Sequence, residues 1–384
     1  MAQRVKTDWT LLAAIGVLVV FGLVMLFSAS SVMSQEKYKS SWYLVSRQFL
    51  WAVGAAGALL FFKTRDYRMF QKSSWAFVSV GVTLLLLVFV YFADPRFHRW
   101  LRIGPVSLQP SELAKPALIL FLAYCLTMRS RSVNDRHTLA QATLALGLLA
   151  GAVVVADLGT AFVLVVTAVV VFFVAGLERR YFAAALMIGL LCAAGAVAAK
   201  PLRIVRVFGF FDPEYRILET SLVKTLDPEG KLRRYIEQSP YSKDPGYQVR
   251  QSKIAVGSGG VIGRGLMNGK QKLYYLPEAH TDFIYAVVGE ELGLAGCMVV
   301  LMCFLVILWR GLRLCWVATD DFARYLALGV TAAIVVQAMV NMSVVLDLAP
   351  TKGLPLPMIS QGGSSLLSTL TSLGLLLSVS EHAG

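Results

Sequence analysis

Residues 274–293, Tyr-Tyr-Leu-Pro-Glu-Ala-His-Thr-Asp-Phe-Ile-Tyr-Ala-Val-Val-Gly-Glu-Glu-Leu-Gly, set Glu278, Asp282, Glu290, Glu291 and His280 where a long polar loop gives way to a membrane-grade apolar run. Ionisable groups at or inside a bilayer are expensive and are usually kept for function. Asp282, at the mouth of the run, suits general-base chemistry at a membrane surface, provided burial or neighbouring charge raises its pKa. Glu278 and His280 are close enough in sequence to supply that tuning. The competing reading makes Asp282 a helix cap, with Thr281 and Asp282 opening the apolar helix and the carboxylate satisfying free N–H groups. On a continuous helix turning about 100° per residue, Glu290 lies roughly 80° around from Asp282, Glu291 nearly opposite, and both about 12 Å or more deeper. That separation marks the Glu290–Glu291 pair as structural, with Gly289, Gly293 and Gly296 able to break or closely pack the segment.

Further candidates are spread along the chain. Glu112 and Lys115, in Gln-Pro-Ser-Glu-Leu-Ala-Lys-Pro, share one helix face at i,i+3 and read either as an ion pair or as cavity groups. In the second case Glu112 holds a cation and Lys115 a phosphate. Arg47 poses the same choice between snorkelling to head groups and gripping a phosphate. Asp157-Leu-Gly-Thr fits turn chemistry as well as a tuning acid. Pro350-Thr-Lys-Gly-Leu-Pro-Leu-Pro-Met-Ile-Ser-Gln-Gly-Gly-Ser-Ser combines prolines, glycines and Lys352 in a rigid, re-entrant-like loop, and irregular backbone at membrane depth must line a cavity or be buried in protein. Ser364 and Ser365 read there as cap or turn residues.

The elements that hold these residues are membrane helices. The chain is 57% hydrophobic and 15% charged, where an ordinary soluble domain is about 45–50% and about 25%. Apolar runs of roughly 20 residues, enough to cross a hydrocarbon core of about 30 Å, fall near 9–31, 43–62, 74–93, 112–128, 139–155, 160–177, 181–199, 283–309, 323–346 and 363–380. The expected fold is all-α and polytopic: one integral domain of ten transmembrane helices, with a large extracytoplasmic loop, 200–282, between helices seven and eight. Within that loop, 217–236 reads as short amphipathic helices on the membrane surface, and Gly257, Gly259, Gly260, Gly263 and Gly265 mark tight turns or close approach. The first run reads as a retained helix, not a signal peptide.

The net charge of +13 suggests nucleic acid, but its placement argues against it. With the N-terminus inside, cytoplasmic segments hold 14 Lys and Arg and the short outside loops 6, the positive-inside pattern. Both termini are then cytoplasmic, and the remaining basic excess suits anionic lipid heads. The five cysteines lie in or beside apolar runs without CxxC, and read as small packing residues.

Together these segments resemble the SEDS family (shape, elongation, division and sporulation) of ten-helix membrane proteins. The motifs are Gln109-Pro-Ser-Glu-Leu-Ala-Lys, Asp157-Leu-Gly-Thr, Tyr247-Gln with Gln251-Ser, Gly257-Ser-Gly-Gly with Gly263 and Gly265, Leu276-Pro-Glu-Ala-His-Thr-Asp-Phe, and Gly353-Leu-Pro-Leu-Pro-Met-Ile-Ser with Gly362-Gly-Ser-Ser. They occur in the family's order across almost the whole chain. Pro277-Glu-Ala-His and Pro350-Thr-Lys-Gly are closer to its division branch than to its elongation branch. Val155-Ala156 and Gln361 depart from the family's usual residues, and 212–246 is longer than is common.

The resemblance implies a peptidoglycan glycosyltransferase of the bacterial inner membrane at the division septum. It would polymerise lipid II beside a class B penicillin-binding protein, other division proteins and membrane lipids, with no nucleic-acid partner. Asp282 would be the base that deprotonates the acceptor hydroxyl. Arg47, Lys115, Gln251, Ser258, His280, Lys352 and Ser364 become substrate-binding candidates, and Glu112 a ligand for a divalent cation, magnesium or manganese. Asp157, Glu278, Glu290 and Glu291 take structural or tuning roles. A lipid II flippase and a non-catalytic division scaffold are the competing functions.

Overall fold

The computed structural model describes residues 7–95, 97–104, 106–128, 133–199, 201–211 and 245–382. It is an all-α polytopic membrane protein. Among the described residues, nine helices are long and apolar enough to cross a bilayer, and Leu158–Val174 is a shorter apolar helix beside them. In chain order they begin with α1 (Trp9–Tyr38), α2 (Tyr43–Thr64), α3 (Ser73–Ala93), α4 (Pro110–Met128), α5 (Arg136–Ala156), α6 (Leu158–Val174) and α7 (Arg179–Ala198). A small antiparallel hairpin, β1 (Leu101–Ile103) with β2 (Val106–Leu108), precedes α4.

The segment read as one long outside loop is partly helical. It contains α8 (Pro201–Phe211) and α9 (Pro245–Gly259) before α10 (Ile284–Val317). The amphipathic helices expected within 217–236 lie outside the described residues. α11 (Asp321–Val345) and α12 (Gly363–His382) complete the chain. α4, α11 and α12 are the most enclosed helices: α11 packs on α4, α6 and α10, and α12 lies along α2. α7 has no buried residue and touches chiefly α6 and α8.

α10 is two helices joined at a break. Gly293 sits at φ 65°, ψ −160°, outside helical geometry, a conformation open to glycine and costly for other residues. The backbone groups freed by the break are taken up by the glycine-rich turn 260–265. Leu294 N donates to Gly260 O (2.9 Å), Ala295 N to Val261 O (3.2 Å), Arg264 N to Glu290 O (3.0 Å) and Gly265 N to Glu291 O (2.9 Å). Buried backbone needs such partners. The approach is close enough that a Cβ on Gly263 would fall 2.2 Å from Glu291 O.

Contacts with α1 indicate depth. Asp8 caps α1 and holds Arg310 of α10 at 2.6 Å, while Ser28 of α1 bonds Glu291 of α10. The α1 rise from Asp8 to Ser28 is about 30 Å, one hydrocarbon core. Glu290 and Glu291 therefore lie at the bilayer boundary opposite the Asp8–Arg310 pair, with Asp282 beyond them. They lie on the membrane side of Asp282, the order in which the sequence spacing sets them.

Candidate functional site

Asp282 does not cap α10. The helix starts at Ile284, Phe283 occupies the cap position, and no side chain bonds the first turn. Asp282 instead ends an irregular stretch that Glu278, at φ 56°, turns back on itself, with Thr281 N and Phe283 N both donating to Glu278 O. Its position is fixed through the backbone. Asn341 Nδ2 donates at 2.7 Å to both Asp282 O and Leu354 O, tying the acid to the loop after α11. Ser360 Oγ donates to Thr281 O (2.6 Å) and Gln361 N to His280 O (3.1 Å). Gly353 then packs on the acid, for a Cβ there would lie 2.6 Å from Asp282 Oδ2. The loop 351–362 is largely buried, as irregular backbone near a membrane must be.

The backbone is held firmly; the carboxylate is left without a hydrogen bond among the described residues. Asp282 lies deep among protein atoms but keeps part of its surface open. Burial raises its pKa to about 7. Arg99 and Arg206 pull the other way, and Glu278 and Asp157 add to the rise. A carboxylate poised near 7 is matched to base work at neutral pH.

Two arginines and two carboxylates act on this acid. Arg99, beside the hairpin, pairs with Asp157 (Nη2 to Oδ2, 3.3 Å), and its Nε has no hydrogen-bond partner among the described residues. Asp157 itself caps α6 by accepting from Gly159 N (2.9 Å) and Thr160 N (3.2 Å). Gly159 lets Leu354 press against that helix end, which brings Asp157 beside the loop carrying Lys352. The Lys352 ammonium lies 5.2 Å above the Phe162 ring, and burial lowers its pKa against the pull of Asp157. Arg203 and Arg206 of α8 act on Lys352 too, with Arg203 anchored to Val154 O and Ala196 O. Sequence reading missed Arg99, Arg203 and Arg206. The i,i+3 spacing of the last two was the available signal, hidden because 200–211 read as loop.

The other candidates take separate places. Lys115 is an ion-pair partner of Glu112 (2.7 Å) and bonds Gln337 Oε1 (2.7 Å), whose amide donates to Pro355 O. The pair thus supports the 351–362 loop from below. Glu112 is 1% exposed and spent on Lys115, and no group of three or more His, Cys, Asp or Glu converges among the described residues. The donor set does not fit a protein-held divalent cation at Glu112. Arg47 lies on α2 near Tyr43 (5.8 Å), by Gln48, which accepts from Gly362 N (3.2 Å). Ser258 donates to Ala255 O within α9, Gln251 is half-buried on the same helix, and Ser364 is buried in the first turn of α12. His280 is half-buried, its pKa lowered by burial with Glu278 opposing.

Glu290 and Glu291 form a different kind of site. Glu290 accepts from Lys270 N (2.7 Å) and Gln271 N (3.1 Å). Glu291 accepts from Met267 N (3.1 Å), Gly269 N (3.3 Å), Ser28 Oγ (2.6 Å) and Lys272 Nζ (2.5 Å). Both carboxylates are fully buried and together bind the 267–272 segment to α10.

A model of cell cycle proteins covering FtsW, RodA and SpoVE matches residues 8–384. A Geobacter metallireducens protein, "Probable peptidoglycan glycosyltransferase FtsW", is 38% identical over 98% of this chain and 95% of its own. Stage V sporulation protein E of Bacillus subtilis is 34% identical over 99% of each. A chain from a structure described as "Structural coordination of polymerization and crosslinking by a peptidoglycan synthase complex" superposes with TM-score 0.74 at 28% identity, over 98% of both. Thermus thermophilus RodA superposes at 0.68 and 25% identity, again over 98% of both.

Proposed function

The chain belongs to the FtsW, RodA and SpoVE family, and from that membership and the Asp282 site we propose that it is a peptidoglycan glycosyltransferase polymerising lipid II during cell division. The observation that carries the reading is a carboxylate with pKa about 7, left without hydrogen bonds among the described residues and acted on by Arg99 and Arg206, with Lys352 linked to the same group through Asp157 and Arg206. Asp282 takes the proton from the acceptor sugar's hydroxyl. The oxygen attacks the donor's anomeric carbon, the bond to the diphosphate oxygen breaks, and undecaprenyl diphosphate departs with the electron pair. Arg99 and Lys352 stabilise the charge that grows on that leaving group. Arg203 and Asp157 position them. Glu112 and Lys115 are assigned to supporting the loop, and any magnesium or manganese to the substrate's diphosphate.

Identity of 37–38% to several FtsW relatives supports the division role. The likeness to a chain of a peptidoglycan synthase complex supports a class B penicillin-binding protein as partner. The positive-inside count supports cytoplasmic termini, placing Asp282 on the outer face of the inner membrane.

The test is purified protein, with and without that partner, given lipid II and assayed for glycan chains. Polymer from wild type and none from Asp282→Asn is expected, with EDTA added to reveal any cation requirement. Translocation of lipid II without polymer, undisturbed by Asp282→Asn, would instead establish a flippase. Septal division supported by Asp282→Asn would establish a scaffold.

A further inference from the structure

Of the charged groups acting on Asp282, Arg99 acts most strongly, ahead of Glu278, Asp157 and Arg206. Yet Arg99 stands on no helix or strand. It lies between α3 and β1, and a guanidinium carried by a loop needs supporting contacts to aim it. The chain supplies them locally. Asp94 ends α3, with its N–H on Val90 O at 2.9 Å, and turns its carboxylate onto the loop. Asp94 Oδ2 accepts from Arg99 N and Trp100 N, each at 3.3 Å, and Oδ1 from Phe97 N at 3.4 Å. Each bond is long, so the hold is collective. Desolvation raises the Asp94 pKa, but these three donors and the nearby Arg102 bring it below the ordinary carboxylate value. The accepting group is therefore the anion, the stronger acceptor.

His98 adds a second anchor. Its N–H donates to Asp94 O at 2.7 Å, and its ring stacks on Tyr91 of α3 with centroids 4.4 Å apart. Its backbone sits at φ 55°, a conformation that costs a non-glycine residue and persists where the surroundings impose it. The guanidinium presented by this fixed loop is left largely unspent. Arg99 gives Nη2 to Asp157 at 3.3 Å, while its Nε is buried without a hydrogen-bond partner among the described residues. Buried donors are ordinarily satisfied; here the backbone is fastened and the donor is kept free.

We propose that Asp94 is a positioning residue: through the backbone N–H groups of Arg99 and Trp100 it aims the Arg99 guanidinium at Asp282 and the reacting groups. That those groups belong to glycosyl transfer rests on the glycosyltransferase reading; the aim at Asp282 does not.

The test combines turnover with a titration of the full-length protein. Asp94→Ala releases three N–H groups to water and should lower polymerisation of lipid II about tenfold, through a misplaced charge. In an Arg99→Ala background the same substitution should cost less than about twofold, because the group it aims is gone. The Asp282 carboxyl is followed by difference infrared spectroscopy, with Asp282→Asn as the blank. In Asp94→Ala it should titrate above its wild-type midpoint of about 7, because the cation favouring its ionised form has moved while Glu278 and Asp157 remain. Arg99→Ala should move the midpoint the same way. Asp94→Asn keeps one carbonyl acceptor and should fall between wild type and Asp94→Ala on both readouts; it carries both tests if Asp94→Ala does not fold. A rate loss that recurs in full without Arg99, or an Asp282 midpoint unchanged in the folded variant, reduces Asp94 to a turn residue and overturns the assignment. A wild-type protein that makes no polymer removes the glycosyltransferase reading, and the infrared midpoint still decides the aim of Arg99.

Discussion

Asp282 and the Glu290–Glu291 pair stand on one short stretch of chain, and the protein treats them in opposite ways. The glutamates are saturated: four backbone N–H groups, Ser28 and Lys272 donate to them. Asp282 has its backbone carbonyl anchored and its carboxylate left open beside Gly353. Both environments are buried. Burial with full satisfaction makes an acid into a fastener; burial without it raises the pKa and leaves the lone pairs for a substrate. Partners, not depth, separate the two roles.

The contrast breaks most directly at Asp282. Asp282→Asn keeps size and backbone bonds and removes the base. Polymerisation of lipid II by the purified protein should fall about 10²–10⁴-fold, while the melting temperature does not fall. Near-wild-type turnover would place the base elsewhere.

The opposite pattern is expected at Glu291. Glu291→Ala strands the Lys272 ammonium, 4% exposed in its side chain, and should cost about 3–5 kcal/mol of stability. Thermal unfolding in detergent reads this directly. The double variant Glu291→Gln, Lys272→Met should recover more than half of the loss, because removing both charges leaves neither unpaired. Equal losses in single and double variants would show that the backbone donors, not the ion pair, carry the clamp.

How far the sequence shows this contrast depends on the kind of signal. The spans are legible because crossing a bilayer demands long apolar runs, and the i,i+3 spacing of Glu112 and Lys115 already holds their ion pair. Gly257–Gly265 and Gly289–Gly296 stand out as glycine clusters, but nothing local says that one repairs the other's broken helix. That exchange is a tertiary fact. Asp282 is also indistinguishable by pattern from a cap; only the start of α10 at Ile284 rules the cap out. Arg99 and Arg206 join the site through loop geometry that no periodicity encodes.

The pH dependence sharpens the contrast from the same carboxylate in two directions. With a folded pKa about 7 against an ordinary 3.8, the base is active when ionised. Turnover should rise about tenfold per unit below pH 7 and level off above it. Stability moves oppositely: a raised folded pKa stabilises the protonated form, and that contribution is lost as pH climbs from about 4 to about 7. Asp282→Asn should therefore be more thermostable than wild type at pH 8 and equal to it near pH 4. A wild-type profile flat from pH 5 to 8 would contradict the desolvated setting.

Gly353→Ala makes the smallest and most local change. The added methyl meets Asp282 Oδ2 at 2.6 Å, so the carboxylate must rotate away, while Asn341 still holds both backbones. Misplacing a reacting group by about 1 Å costs up to about 10²-fold in rate. The expected result is a rate loss of about tenfold or more, smaller than that of Asp282→Asn, with thermal stability within about 1 kcal/mol of wild type. A variant that loses stability and keeps its rate would show that Gly353 serves the loop's packing and not the aim of the base.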